Sequence, residues 1–332
     1  MKRVYIDMYC WAAALETDPH AMNGLFRHAF ALGKLFCPAI VLSPAENVPK
    51  RGIARLRATL NKAVVSISDP HEIKDAIWVT LGVDQISPTM PLMDVLRVTI
   101  LHDAMSGYGL FGPDARDRFC FGAHSQQVFL YTTNYALNSF KATCTQLGIK
   151  TDHKIFIPYG CFHTCDELPF SLGQRGPYTS LSVHSLFRRK NLDDVLKLVE
   201  AIQTRHVHIG NRGDLEPEEY RDVSSLCRWI EHCPDEALYA YYAQVSHFIC
   251  MSRDEGFSMP ALEAIIYGVP HIHLSPIVAH LEIYGHLSVN FHTLPFSPSS
   301  KVITEDERVS MFEKYKFGNI VKPFQDFVCN QY

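Results

Sequence analysis

The sequence has no run of about 20 uncharged apolar residues, the length that a transmembrane helix requires. At the N-terminus, MKRVYIDMYCWAAAL places two basic residues before an apolar stretch, but Asp7 interrupts that stretch and no small-residue cleavage site follows clearly. We therefore interpret this segment as a first β-strand rather than a signal peptide, and we expect no membrane span.

Basic charge is not in surplus either. The chain has 31 Lys and Arg against 35 Asp and Glu, a formal net charge of −4, so nucleic acid is not the expected partner. Apolar residues make up 47% of the chain and charged residues 20%, which is the composition of a globular protein with an ample core.

Cysteines are numerous but show no paired motif. The ten cysteines are scattered without a CxxC, and most lie in apolar runs such as HFIC and RFCFG. This pattern predicts buried, reduced thiols in a cytoplasmic protein. The motifs CFHTC (residues 161–165) and PHIHLS (residues 270–275) lack the second ligand pair of a zinc site, so we predict no metal.

Short apolar strands alternate with helical patterns in two blocks along the 332 residues. Strands of the first block are predicted at RVYIDMY, PAIVLSP, VLRVTILHDA, QQVFLYTT and HKIFIPYG. After a Gly/Pro-rich break, ELPFSLGQRGPY, the strands TSLSVHSLF, RHVHIG, VSHFICMS and PHIHLS follow. We therefore predict an α/β fold of two doubly wound, Rossmann-like domains, residues 1–165 and 166–332, facing across a cleft that binds the ligand.

One glycine motif suggests a dinucleotide site when it is taken alone. The segment GYGLFG, residues 107–112, matches GxGxxG and follows a predicted strand. However, Pro113 comes next, no amphipathic helix opens there, and no acidic residue ends the following strand. We interpret the segment as a flexible loop, which makes an oxidoreductase the least favoured class of function.

A basic helix is predicted at VPKRGIARLRATLNKAVV, residues 48–65. Its apolar side chains, Ile53, Leu56, Leu60 and Val64, share one side, and basic residues occupy the rest. We interpret it as a surface helix of the first domain. The alternative is a peripheral contact with an anionic membrane or a lipid-phosphate acceptor.

Cations gather where one strand of the second block ends. In FRRKN, residues 187–191, three adjacent basic residues lie between a predicted strand and a predicted helix. Helix N-terminal amides and cations together suit phosphate groups. Asn191 is placed to cap this helix.

Two glutamates flank a proline in RDEGFSMPALEAIIYGVP, residues 253–270. Pro260 belongs in the first turn of a helix that Ser258 is placed to cap, so Glu255 lies in the loop before it and Glu263 about one turn inside. A buried carboxylate is costly unless it is paired or hydrogen-bonded. The backbone amides of residues 256–259, at the start of this helix, suit phosphate groups, and the carboxylates of Glu255 and Glu263 suit sugar or ribose hydroxyls. The segment therefore predicts a pocket for a nucleotide diphosphate sugar.

These residues resemble a known family. EGFSMPALEA has the E-x7-E pattern of retaining glycosyltransferases and is similar to their usual EGFGLPxLEA. In order along the chain, NGLFRHAFAL resembles their glycine-loop helix, VTILHDA their strand that ends in HD, and VHSLFRRKNLDDVLKLVEAI their RKN strand and helix. The sequence thus resembles glycosyltransferase family 4, which has the two-domain GT-B fold, over most of residues 1–290.

The resemblance implies a retaining, metal-independent hexosyltransferase that uses a nucleotide diphosphate sugar, a glycan or glycolipid acceptor and no cofactor. On the matching positions, Glu255 holds donor-sugar hydroxyls, Glu263 binds the nucleotide ribose, and Arg189 and Lys190 neutralise the leaving diphosphate. The lack of a clear DxD motif agrees with metal independence.

Further positions follow from the same resemblance. His102 contacts the donor sugar, and Gly24 lets a first-domain loop approach the diphosphate. The other donor-binding positions of the motif are Gly256, Phe257, Ser258 and Met259. The last helix of such folds often crosses back to the first domain.

Departures from the family pattern leave other functions open. His184 and Ser185 stand where the family often has Gly-Arg, and Asn23 precedes Gly24 where it has a second glycine. One alternative is a sugar-nucleotide epimerase of the same fold, which needs no acceptor. Another is a catalytically inactive protein that binds an active glycosyltransferase.

Overall fold

The structure is a computed structural model, and it describes the following residues: 3–17, 32, 40–42, 48–60, 65–67, 73–83, 94–102, 113–163, 165, 167–169, 179–185, 187–211, 227–293 and 301–330. Two compact units make up the chain. Unit 1 comprises Met1–Gly160 and Val321–Tyr332, and unit 2 comprises Cys161–Ile320. The final helix, Phe317–Cys329, therefore begins in unit 2 and ends among residues of unit 1.

Unit 1 is built on parallel strands. In chain order they are β1 (Arg3–Ile6), β2 (Ile40–Leu42), β3 (Val65–Ile67), β4 (Lys74–Thr80), β5 (Asp94–Leu101), β6 (Val128–Tyr131) and β7 (Ile155–Pro158). A five-stranded sheet has the order β1-β4-β5-β6-β7, and β2 pairs with β3 separately. In the sheet Val4 lies beside Ile77 and Val98 beside Val128, so apolar side chains adjoin across the strands.

The helices of unit 1 follow its strands. They are α1 (Tyr9–Thr17), α2 (Lys50–Leu60), α3 (Pro113–Ser125) and α4 (Asn134–Gln146). Helix α4 begins where the Thr133 hydroxyl accepts a hydrogen bond from the Ala136 amide at 3.0 Å, which caps the first turn. Strand β4, which lies between β1 and β5, is absent from the strands predicted above, although its AIWV run is continuous and buried.

Helix α2 is shorter than predicted. It ends at Leu60, and Val65 already belongs to β3, because the β-branched run VVSI favours extended backbone. The predicted apolar side chains Ile53 and Leu56 are buried, so this side of the helix packs within the core of unit 1. Gly52 permits that packing, because a Cβ at this position would lie 1.8 Å from the Ala12 carbonyl oxygen.

Unit 2 has a second parallel sheet. Its strands are β8 (Ser180–Val183), β9 (His206–Ile209), β10 (Arg228–Ile230), β11 (His247–Cys250), β12 (His271–Leu274) and β13 (Asn290–Phe291). They form one six-stranded sheet in the order β10-β9-β8-β11-β12-β13. The predicted α/β fold with two parallel-sheet domains is confirmed.

Helices alternate with these strands in unit 2. They are α5 (Leu192–Ala201), α6 (Asp235–Gln244), α7 (Met259–Ile266), α8 (Val278–Tyr284) and α9 (Glu305–Lys314), followed by α10 (Phe317–Cys329). Helix α7 is apolar around most of its circumference and is buried in the core. The guanidinium of buried Arg308, on α9, donates to the Ile266 carbonyl at 2.8 Å and so satisfies the C-terminal end of α7.

The described cysteines are thiols rather than disulfides. Among the described residues, no helix combines the length and the apolarity that crossing a bilayer requires.

Candidate functional site

The strand order of unit 2 identifies one edge of its sheet as the place for a ligand. Beyond β8 the chain builds outward in one direction through β9 and β10, and in the other direction through β11, β12 and β13. All neighbouring strands pair in parallel, so their carboxyl ends share one edge. Ligands in doubly wound folds bind at the carboxyl ends of strands where the order reverses, here between β8 and β11.

The predicted residues Arg189, Lys190 and Glu255 meet at this edge. Arg189 and Lys190 lie in a single 3-10 turn after β8, and Glu255 follows β11. The Lys190 ammonium donates to Glu255 Oε1, and the Arg189 Nη1 lies 3.7 Å from Glu255 Oε2. The Ser252 hydroxyl donates to the same Oε1 at 2.7 Å. The carboxylate is thus held by two cations and a hydroxyl.

Glu255 is ionised although it is 7% exposed. Burial on its own raises the pKa of its carboxyl, but the charges of Lys190 and Arg189 and hydrogen bonds from Lys190 and Ser252 outweigh burial and lower the pKa to about 2. A buried carboxylate held in this way keeps its charge at neutral pH and remains able to accept hydrogen bonds from hydroxyl groups.

Backbone contacts join the loops after β8 and β11. Arg189 donates from Nη1 to the Asp254 carbonyl at 3.1 Å and accepts from the Arg253 amide at 2.8 Å. The Asn191 side-chain amide donates to the Met251 carbonyl at 3.1 Å. These bonds fix the cations and the carboxylate relative to one another before any ligand arrives.

The two predicted side-chain caps are wrong in detail. Asn191 and Ser258 do occupy the N-cap positions of α5 and α7, but both have left-handed backbone and neither makes a side-chain cap bond. This backbone turns the side chains elsewhere: the Asn191 amide donates to Asp194 Oδ2 at 2.7 Å, and the Ser258 hydroxyl lies 3.6 Å from Cys250 Sγ. The predicted placement of Pro260 in the first turn of α7 is confirmed.

The backbone at Ser258 explains why the motif usually has glycine there. Its φ of 67° and ψ of 66° are comfortable for glycine but cost a residue with a Cβ roughly 1–2 kcal/mol. We therefore expect Ser258→Gly to raise the free energy of unfolding by about 0.5–1 kcal/mol, after the loss of the hydroxyl and the extra freedom of the unfolded chain. Urea denaturation measures the change.

Ser258→Ala is the control for this substitution. It removes the same hydroxyl but keeps the Cβ, so it should not be stabilised relative to the native chain. A Ser258→Gly variant that is no more stable than Ser258→Ala would show that backbone strain at this position is negligible.

The other residues of the motif have distinct environments. Phe257 is 4% exposed, and its ring packs against the rings of Tyr284 and Tyr315 in the core. Gly256 is buried, and half-buried Met259 begins α7. The side chain of Phe257 therefore anchors the loop within the core.

Glu263 has a partner that the sequence did not identify. It is 6% exposed on α7, and its Oε2 accepts a hydrogen bond from the hydroxyl of fully buried Tyr242, on α6, at 3.1 Å. The two glutamates of the motif thus have different partners: cations and a serine for Glu255, a phenol for Glu263. No sequence signal pairs Tyr242 with Glu263, whereas Ser252 could have been suspected from its position three residues before Glu255.

His184 lies at the carboxyl end of β8, where the family often has glycine. Burial, and next the charge of Lys190, lowers the pKa of His184 to about 4, so this ring adds no positive charge at neutral pH. Its Nδ1 donates to the Ser185 carbonyl at 3.2 Å. The backbone of Gly210 lies directly against it, since a Cβ there would be 1.9 Å from the His184 carbonyl oxygen.

Two predicted residues belong to unit 1. His102 follows β5 at the carboxyl edge of the first sheet, where burial lowers its pKa to about 3 and keeps the ring neutral. Gly24 lies outside the described residues, as do the GxGxxG segment at 107–112 and the predicted glycine-loop helix.

The histidine motifs have structural partners. His273 bonds His247 through Nε2 at 2.9 Å and His292 through Nδ1 at 2.8 Å, and His163 Nε2 donates to the Phe312 carbonyl at 2.7 Å. Within the described part of the chain, no group of three or more His, Cys, Asp or Glu side chains is arranged to hold a metal ion.

Comparisons with known proteins support the fold. Residues 166–296 match the family model described as Glycosyl transferases group 1. A search of curated proteins found no match. Among solved structures, the chain is similar to Anabaena HepE in complex with UDP and glucose, with a TM-score of 0.70 and 12% identity over 99% of this chain and 100% of that one.

Two further structures are similar. Sucrose-phosphate synthase from Thermosynechococcus elongatus has a TM-score of 0.67 and 10% identity over 100% of this chain and 99% of that one. The pneumococcal O-GlcNAc transferase GtfA, in complex with UDP and GlcNAc, has a TM-score of 0.55 and 15% identity over 84% of this chain, which spans only 60% of that protein. At these identities the likeness establishes the fold: the chain has the two-domain GT-B fold, and its residues 166–296 match the glycosyl transferases group 1 domain.

Proposed function

We propose that the protein is a glycosyltransferase that transfers a hexose-type sugar from a nucleoside diphosphate sugar to a glycan or glycolipid acceptor, with retention at the anomeric carbon. The observation that carries the proposal is the cluster of Lys190, Arg189 and Glu255 at the switch point of the second sheet. It lies in the segment that matches the glycosyl transferases group 1 model.

The cluster supplies the chemistry that sugar transfer requires. As the bond between sugar and diphosphate breaks, negative charge develops on the leaving diphosphate, and fixed cations stabilise that charge most in the transition state. Lys190 and Arg189 are held in place for this role by Glu255 and by the Asp254 carbonyl. No metal is required in the proposal, because these two side chains provide the positive charge.

Glu255 has the second role. Its ionised carboxylate accepts hydrogen bonds, so it suits the hydroxyls of the sugar that is transferred. Lys190 and Glu255 adjoin, which places the diphosphate and the sugar next to one another, as they are in a nucleotide sugar. A nucleoside diphosphate that carries no sugar would add no hydroxyl to the present partners of Glu255, which are Lys190, Arg189 and Ser252.

The first test is binding. We expect the midpoint of thermal unfolding to rise with one of the nucleoside diphosphates UDP, GDP and ADP and with its sugar conjugates, but not with NAD. A ligand at about 100 times its dissociation constant adds about 2.7 kcal/mol to the free energy of unfolding. The responsive nucleoside names the donor and directs the search for an acceptor.

Two outcomes contradict the proposal. A folded protein whose midpoint responds to none of these ligands favours the catalytically inactive alternative. A protein that binds the nucleotide sugar and converts the sugar into its epimer, without an acceptor, is an epimerase. Chromatography of the products separates epimerisation from transfer.

A further inference from the structure

Three tyrosines pack together, and one of them contacts Glu263. Tyr242 and Tyr239 belong to α6, and Tyr267 follows α7. The Tyr239 and Tyr267 rings stack with their centroids 4.7 Å apart and an angle of 13° between them, and the Tyr267 and Tyr242 rings stack at 5.8 Å and 19°. Such a stack restricts the rotation of its rings.

Other contacts fix the stack from both sides. The Cys165 thiol donates to the Tyr267 hydroxyl at 3.2 Å, and the Tyr242 ring also packs against Phe248 of β11. Tyr242 itself is fully buried. With the ring held in this way, its hydroxyl donates to Oε2 of Glu263.

The bond between Tyr242 and Glu263 constrains the carboxylate. A phenol can donate only one proton, and Oε2 of Glu263 accepts it at 3.1 Å. A carboxylate has about four lone-pair positions, so it can accept this bond and still accept the hydroxyls of a ligand.

We infer that Tyr242 is a positioning residue for nucleotide binding, because its hydroxyl orients the Glu263 carboxylate that accepts the ribose hydroxyls of a nucleoside diphosphate. This inference rests on the proposed function. Tyr242 does not touch the ligand in this arrangement. In this role its hydroxyl acts through Glu263, so the contribution of the hydroxyl to affinity disappears when the ribose has no hydroxyls.

Tyr242→Phe tests the inference by removing one oxygen from a ring that keeps its packing. The probes are the nucleoside diphosphate that binds the native chain and its 2′,3′-dideoxy analogue, with calorimetry as the measurement. We expect the Kd of the ribose form to rise by up to about tenfold, because a Glu263 side chain that Tyr242 no longer holds has to be immobilised when the ribose binds. The Kd of the dideoxy analogue should not change.

Tyr241→Phe is the matched control. Tyr241 precedes Tyr242 on the same helix and points about 100° away from it, so the same substitution should leave both dissociation constants unchanged. A second comparison uses Glu263→Gln as the background. If Tyr242 acts through the carboxylate, Tyr242→Phe should have no further effect on affinity in that background.

Each result decides the matter. If Tyr242→Phe raises the Kd of both nucleotides equally, the substitution disturbs the whole site and the inference is wrong. The inference is also wrong if neither Kd changes. If the native chain binds neither UDP, GDP nor ADP, the proposed function fails and the inference fails with it. Only the selective loss of ribose affinity, abolished by Glu263→Gln, supports it.

Discussion

Replacing Lys190 with methionine should abolish most sugar transfer and destabilise the protein at the same time. Loss of one fixed donor to a developing negative charge lowers turnover by about 10²–10³-fold in enzymes that depend on it. The substitution also leaves the carboxylate of Glu255, 7% exposed, without the cation that contacts its Oε1. Breaking a buried ion pair from one side costs about 3–5 kcal/mol.

The pKa of Glu255 gives the sign of the accompanying pH effect. Its folded value of about 2 lies below the ordinary value of 4.5, so its ion pair stabilises the native chain above pH 4.5 and this contribution disappears as the pH falls through the folded value. The difference corresponds to about 3 kcal/mol, in line with the cost expected for breaking the pair. In Lys190→Met this acid-labile contribution should be largely absent.

A double substitution separates the two effects of Lys190. Lys190→Met combined with Glu255→Gln removes both charges, so no uncompensated charge is buried and most of the lost stability should return. Transfer should remain abolished, because neither the cation nor the carboxylate is present. Chemical denaturation and a radiolabelled transfer assay measure the two quantities on the same preparations.

Lys197→Met is the control at an exposed pair. Lys197 is 55% exposed and lies 3.1 Å from Asp194, one turn earlier on α5. Exposed pairs of this kind contribute about 0.3–0.5 kcal/mol, so both stability and transfer should stay close to native. Near-native transfer by Lys190→Met would refute the role assigned to Lys190.

The sequence predicted the strands better than the turns between the strands and the helices. Continuous apolar runs such as HFIC and HIHL are long enough to identify buried parallel strands, and the structure places β11 and β12 there. The residue types at Asn191 and Ser258 did not reveal their left-handed backbone, because both are common helix caps. The motif itself contained the only hint, since it usually has glycine where this chain has Ser258.

In the candidate site, too, some contacts could be predicted from the sequence and others could not. The resemblance placed Arg189, Lys190 and Glu255 in one donor site, and the structure brings them together because the adjacent parallel strands β8 and β11 end at one edge of the sheet. Tyr242 could not be placed beside Glu263, because that contact depends on how α6 and α7 pack against the sheet. Pairings between helices that are distant in sequence depend on tertiary packing, which residue patterns do not encode locally.

Acidification should destabilise the protein strongly between pH 7 and pH 5, well above the range in which Glu255 titrates. Unit 2 contains buried neutral histidines whose pKa values lie far below 6.5: His184 at about 4, His206 and His273 at about 3, and His208 well below its ordinary value. Burial is the largest cause in each case. These rings are at most 9% exposed.

Hydrogen bonds oppose the charging of these rings. The Ser182 hydroxyl bridges His206 Nε2 and His208 Nδ1 at 2.8 Å, and the Ser180 hydroxyl meets His206 Nδ1 at 2.9 Å. A neutral imidazole has one donor and one acceptor, which such a chain accommodates. A charged imidazole has two donors and no acceptor. Protonation therefore removes an acceptor from this chain of hydrogen bonds and also buries a charge.

The sign of the pH effect follows from proton binding. Below pH 6.5 each of these histidines takes up a proton in the unfolded chain but stays neutral in the folded one, so stability is greatest above pH 6.5 and falls as the pH falls towards the folded values. Each such group contributes a slope that approaches about 1.4 kcal/mol per pH unit near pH 5 and is smaller near pH 7, where the unfolded ring is mostly neutral. His280 opposes this trend. Burial lowers its pKa, but the hydrogen bond to Cys250, the charge of Glu255 and the hydrogen bond to the Ser275 backbone raise it more.

The prediction is checked by urea denaturation at pH 7, 6 and 5 on the native chain and on two variants. His206→Asn removes one buried titrating ring, so the slope of its unfolding free energy against pH should be smaller than the native slope by about 1 kcal/mol per pH unit on average over this range, whatever its stability at pH 7. His153→Asn, which replaces an exposed ring, is the control substitution. A native profile that is flat between pH 7 and 5 would contradict the neutral, buried histidines of unit 2. Equal slopes for the native chain and His206→Asn would exclude His206 as a source of the effect, because a ring that contributes to the slope must reduce it when it is removed.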